Sequence, residues 1–238
     1  MNGIARRAAL ALLLSCGFGA AHAQCINLSA VDTASTQNFD ALANSGTTNA
    51  LSIAGWSMIE AGGGARDNEQ YAADTGSSNT GDTYSYGAAG GAERALGALR
   101  SGTLVSTFGA CFVNNTGAAI EALDIAYAGE QWRLGTTART DRLDFQYSLN
   151  ATDVATGTWV DVNTLDFVTP DTGTVGAKDG NDATHRVPLA ANIGSLSIAN
   201  GATFWVRWTD SDASGADDGL AVDDFSLTAR GSGGGGQP

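Results

Sequence analysis

The side chains with chemistry to offer are mostly carboxylates, and they crowd toward the C-terminus. Asp210-x-Asp212-x-Ser214-Gly215 has the opening rhythm of an EF-hand loop, but the twelfth position is Ala221 and not Glu, so that loop type is rejected. What is left is a loop bearing Asp210, Asp212, Asp217 and Asp218, followed at once by Asp223 and Asp224. Calcium takes about six to eight oxygens, largely from carboxylates and carbonyls on flexible loops. These acids are therefore candidate calcium ligands, with Asp223 as the member from the following strand. Alternation along that strand sends Asp223 and Asp224 to opposite faces, so one of them at most joins the loop. Carboxylates gathered without a cation repel one another and bind protons more readily. Neutralisation by Arg207 or another arginine, and plain solvation, are the two competing readings.

A second set combines aromatic and polar side chains. In Phe204–Trp208 the residues Phe204, Val206 and Trp208 share one face of a strand, and Trp205 and Arg207 share the other. The first face belongs to a core. On the second, Trp205 and Arg207 with Asp144 and Gln146 of another strand would make an aromatic platform with polar grips, as sugar recognition requires. The structural alternative pairs Arg207 with Asp144 beneath loops, because buried charges are tolerated when paired and hydrogen-bonded.

Catalytic signals are weak. Beyond the leader the chain holds one histidine, His185, with no Gly-x-Ser-x-Gly elbow and no phosphate-cradling loop, and its one lysine is Lys178. Glu60, Glu69, Glu93, Glu121 and Glu130 read as loop or edge positions. With 25 acidic against 12 basic residues and a formal charge of −13, direct nucleic-acid binding is not expected, because it draws on basic charge.

Short alternating runs must position these groups. Leu123, Ile125 and Tyr127 alternate with smaller or polar residues, as do Leu143, Phe145 and Tyr147. Period two with aromatic and branched residues is the half-buried strand pattern. Further strands are expected in 103–114, 158–162, 166–168 and 220–227. Turn signals fall at Asn114–Gly117, Asp179–Asp182 and Asn200-Gly201. Glycines weaken any helix over Ala89–Leu99, which reads as a short turn, and Ala61–Gly91 reads as long surface loops. A hydrophobic share of 43% excludes whole-chain disorder. The expected fold is all-β: an antiparallel two-sheet β-sandwich of jelly-roll type.

Residues 1–23 read as a secretory signal peptide, with Arg6 and Arg7, a short apolar run from Ala8, and Ala21-His22-Ala23 at the cleavage site. A lipoprotein cut before Cys16 is the lesser alternative. The apolar run is too short to span a membrane, and no later segment approaches that length. The β-sandwich is placed at 24–229 and a flexible Gly-rich tail at 230–238. Secretion leaves two cysteines, Cys25 and Cys111. In an oxidising compartment they most simply form one disulfide, contributing roughly 4 kcal/mol on a chain-entropy model. Two unpaired buried thiols are the alternative. Two Cys and one His do not make a structural zinc site.

The closing run Leu220-Ala-Val-Asp-Asp-Phe-Ser-Leu227 is similar to the final strand of MAM and bacterial cleaved-adhesin domains. More closely, the chain resembles an N-terminal jelly-roll module of secreted bacterial multidomain proteins, some of which carry Calx-beta repeats and an endonuclease/exonuclease/phosphatase domain. The matching pieces are Gly81–Gly87, Glu93–Gly97, Asn114–Gly117, Gly129–Arg133, Asp141–Ser148 and Gly215–Gly219. The resemblance implies a secreted, non-catalytic module for extracellular binding or adhesion, to a glycan or a protein ligand, stabilised by calcium. Its second implication is an accessory domain of a secreted nuclease. No nuclease domain follows in this sequence, so that activity is not carried over.

Overall fold

A computed structural model describes residues 24–231. The signal peptide assigned to 1–23 and most of the tail lie outside the described residues. Fifteen strands run β1 (Ile26–Leu28), β2 (Ala34–Gln37), β3 (Trp56–Ala61), β4 (Tyr71–Asp74), β5 (Asp82–Tyr86), β6 (Ala95–Leu99), β7 (Val105–Asn114), β8 (Ile120–Leu134), β9 (Arg142–Ser148), β10 (Val160–Asp161), β11 (Phe167–Val168), β12 (Gly176–Ala177), β13 (Arg186–Ile193), β14 (Thr203–Asp210) and β15 (Gly219–Gly231). One 3-10 turn, Asn163–Leu165, precedes β11. Among the described residues no helix is long and apolar enough to cross a membrane.

The strands form two sheets. In the first, β7, β14 and β9 lie side by side, with β1 and β3 on the outer edge of β7 and β10 and β11 on that of β9. In the second, β8 and β15 are central; β12 and β13 border β8, β2 and β6 border β15, and β5 and β4 continue outward. The sandwich matches the expected fold class. Pairing is antiparallel except for β1 with β7 and β4 with β5, so both sheets are mixed.

The inner faces close on one core. From the first sheet come Phe108, Phe112, Phe145, Phe204, Val206 and Trp208, and from the second Ile125, Tyr127, Val222, Phe225 and Leu227. Trp208 is fully buried and meets Phe145, Phe225 and Tyr127 edge-on, with ring centroids 5.2, 5.6 and 5.3 Å away. Edge-to-face pairs add about 0.5–1.5 kcal/mol each beyond their buried area.

Two stretches differ from expectation. The Gly/Ser/Asn-rich stretch 61–91 contains β4 and β5, and Ala89–Leu99 ends in β6; every residue of β5 and β6 is buried. At the C-terminus β15 runs through Arg230 and Gly231, where Arg230 bonds Asp124 and Asp32 at 2.6 Å, so these two residues belong to the sandwich and not to a tail. The N-terminus is fastened by the expected disulfide: Cys25 and Cys111 are bonded, with Cα atoms 4.6 Å apart.

Candidate functional site

The outer face of the first sheet carries the expected aromatic and polar set. β14 pairs with β9 so that Arg207 faces Gln146 and Thr209 faces Asp144, and β14 pairs with β7 so that Trp205 faces Cys111. Thus Trp205, Arg207, Gln146 and Asp144 share one face, but they do not form an open platform. The segment 149–159 folds across them. Its Ala151 and Val154 pack with Cys111 against Trp205, which is only 6% exposed. A bare Trp205 ring is therefore corrected to a covered one. These apolar loop residues are buried by lying on it.

Arg207 is held by the same loop. Its Nε donates to Gln146 Oε1 (2.7 Å), a terminal nitrogen donates to the Val154 carbonyl (2.7 Å), and the guanidinium lies 3.9 Å over the Trp159 ring. Asp144 pairs with Arg142 instead, so the expected Arg207–Asp144 tie does not form. Burial lowers the Arg207 pKa from its ordinary value.

Beside Trp205, where the disulfide meets the edge strand β3, a groove of about 600 Å³ opens. Its walls include Leu51, Trp56, Met58, Thr152, Asp153 and Thr203. Two polar atoms of wall residues, Ser57 Oγ and Trp56 Nε1, are buried without a hydrogen-bond partner.

The acids of the C-terminal loop are spread among separate donors. Asp218 accepts from the Gly135 N–H and the Thr169 hydroxyl, each at 2.7 Å, and pairs with Arg139 at 3.1 Å. Arg139 also pairs with Asp141 at 3.1 Å. Asp217 accepts from the Ala213 N–H, and burial pushes its carboxyl up to about 6. Asp210 is fully buried, accepts the Arg100 N–H at 3.0 Å, and sits well above the ordinary carboxyl range because of that burial. Asp212 is open to solvent, 3.6 Å from Arg100 Nε. Arg100 and Arg139, and not Arg207, are the arginines at this loop.

Asp223 is placed apart from that loop. The ladder between β15 and β8 is irregular from Asp223 to Ser226, and Asp224 has a left-handed φ of 48°. This bulge cancels the expected alternation: Asp223 and Asp224 both reach Arg186, at 3.5 and 2.6 Å. Arg186 also pairs with Glu130 at 3.0 Å, and Trp132 Nε1 donates to the other Glu130 oxygen at 3.0 Å. Glu130 is fully buried on β8, so its reading as a loop or edge residue is corrected. Glu60 does lie on the edge strand β3, but it is 3% exposed and ties the sheets by accepting from the N–H and hydroxyl of Thr83 at 3.0 and 2.8 Å. Burial raises the Glu130 carboxyl to about 8 and that of Asp223 to about 7. Glu93 completes a group in which one oxygen from each carboxylate lies within 4.8 Å of the others. His185 stands just before β13 with Nδ1 2.9 Å from the Asp179 carbonyl and Nε2 3.4 Å from Asp171.

No family model matches the chain, and no curated protein matches it. Similar solved structures include a cleaved adhesin domain of Lys-gingipain, a Porphyromonas gingivalis protein, at 16% identity and TM-score 0.43, covering 82% of this chain and 97% of that one. A xylan-binding domain from Paenibacillus barcinonensis is 13% identical at TM-score 0.38, covering 86% and 99%. The enzymatically active domain of tailspike protein 4 from bacteriophage CBA120 is 8% identical at TM-score 0.35; the match covers 74% of this chain but only 19% of that one.

Proposed function

We propose that this chain is an exported, non-catalytic binding module that takes a short glycan in the groove beside Trp205. The observation that carries the reading is the groove itself. Its volume of about 600 Å³ falls within the range of clefts that enclose small ligands, whereas surfaces for protein partners are broader and flatter. Leu51, Met58 and Trp56 offer apolar wall, and Ser57, Thr152, Asp153 and Thr203 offer polar groups at the rim and floor. Sugars need both, since their rings have apolar faces and hydroxyl edges. The covered Trp205 then serves as the back wall and not as the stacking surface.

The test is to fill the groove without touching the core. Thr203 is exposed at the start of β14. Thr203→Trp should leave the melting temperature nearly unchanged and abolish retention of the glycans that the unaltered protein holds on an immobilised array. An array that retains nothing, or retention unaltered by Thr203→Trp, would overturn the proposal.

A further inference from the structure

The outer face of the second sheet holds a polar site that the groove does not use. Glu130 comes from β8, Asp223 from the bulged part of β15, and Glu93 from the turn before β6. Their oxygens converge within 4.8 Å, and the first two residues are 0% and 5% exposed. One oxygen, Asp223 Oδ1, is buried without any hydrogen-bond partner. Arg186 is the cation in contact, and it divides its charge among Glu130, Asp223 and Asp224. Four carboxylates share one guanidinium, and burial makes their full ionisation expensive unless protons or a further cation neutralise them.

We infer that Glu93, Glu130 and Asp223 bind a hard divalent cation of the calcium type, which stitches β8 and β15 to the turn before β6. Each of the three carboxylates brings one oxygen to the common point, and water would complete the shell of about six to eight. The donors are all oxygen, which suits calcium and disfavours thiophilic metals. Ordinary alternation makes the site possible: Ala221 faces Glu130 across the ladder, and Asp223, two residues on, lies on the same face. Trp132 gives a built-in reporter, since its indole N–H donates to Glu130 Oε2.

The experiment uses the full exported chain, stripped with chelator and titrated with calcium chloride alone. Melting temperature and the indole N–H resonance of Trp132 are followed. A saturable rise in melting temperature, together with a shift of that resonance, is expected. Glu130→Gln and Asp223→Asn should each weaken calcium binding roughly tenfold or more, while Asp217→Asn in the C-terminal loop should leave it unchanged. Should either buried variant fail to fold, Glu93→Gln, at the more open side of the site, must still weaken binding. No saturable response up to about 10 mM calcium, beyond the range of weak extracellular calcium modules, would overturn the inference. So would a response abolished by Asp217→Asn and kept by Glu130→Gln.

Discussion

Two acidic regions of this sandwich are built from the same side chains and solved differently. In the C-terminal loop the carboxylates accept backbone N–H groups, and Arg139 and Arg100 pair with Asp141, Asp218 and Asp212. At Glu93, Glu130 and Asp223 the carboxylates turn toward one another, and the side chains of Arg186, Trp132 and Asn181 donate to them. A carboxylate that accepts backbone N–H bonds is part of the scaffold. Carboxylates that converge leave a space whose sign is set by whatever fills it.

The largest expected effect removes the scaffold's counter-charge. Arg139→Met leaves Asp141 and Asp218 buried without their cation, and should cost roughly 3–5 kcal/mol in urea unfolding. A loss below about 1 kcal/mol would show that the backbone donors suffice and would erase the contrast.

Next comes the pH dependence of the converging site. Glu130 and Asp223 have folded values of about 8 and about 7, against ordinary values of 4.5 and 3.8. The folded chain therefore keeps protons that the unfolded chain has released across that window, so stability is complete below about pH 4 and is lost as pH rises through 7 and 8. In chelator the melting temperature should fall between about pH 5 and pH 8.5. Calcium should flatten the fall, and Glu130→Gln should make it shallower. Asp82 and Asp217, raised to about 7 and about 6, act in the same direction, so part of the slope should survive Glu130→Gln. A slope indifferent to both calcium and Glu130→Gln would place the titration elsewhere.

The smallest effect sharpens the boundary of that site. Asp224 pairs with Arg186, but its side chain is 61% exposed. Asp224→Asn should change stability by no more than about 0.5 kcal/mol in urea unfolding, as exposed pairs do.

The alternation of Phe204, Val206 and Trp208 made the core and both faces of β14 legible, because period two maps directly onto burial. β5 and β6 were not legible. Their polar and glycine residues look like loop letters, yet Thr83 is buried by bonding Glu60 and Ser106, and a Cβ on Gly97 would meet the Leu220 carbonyl at 2.3 Å. There glycine marks close strand packing and not a turn. The acidic loop was legible as acidic, and the arginines that answer it were not, because Arg100 and Arg139 come from remote segments. The convergence of Glu130 with Asp223 comes from the register of β15 on β8, which sets Ala221 opposite Glu130 and Asp223 on the same face, and one strand's letters do not reveal a pairing register. The cover over Trp205 escaped for the same kind of reason: two small apolar loop residues are too weak a pattern to announce that they lie on a tryptophan.

The bond between Cys25 and Cys111 also decides how the molecule would respond to tension. β1 runs parallel to β7 and is only three residues long, so its hydrogen bonds alone would give way early if the N-terminus were pulled. The covalent link passes the load straight to β7, a strand flanked on both sides. The whole segment between the two cysteines becomes a closed ring that cannot be drawn out. Only the chain beyond Cys111 can lengthen, at about 3.3–3.6 Å per residue. Under tension between its two ends the module would therefore unravel only through the segment after Cys111, while residues 25–111 stay closed as a ring.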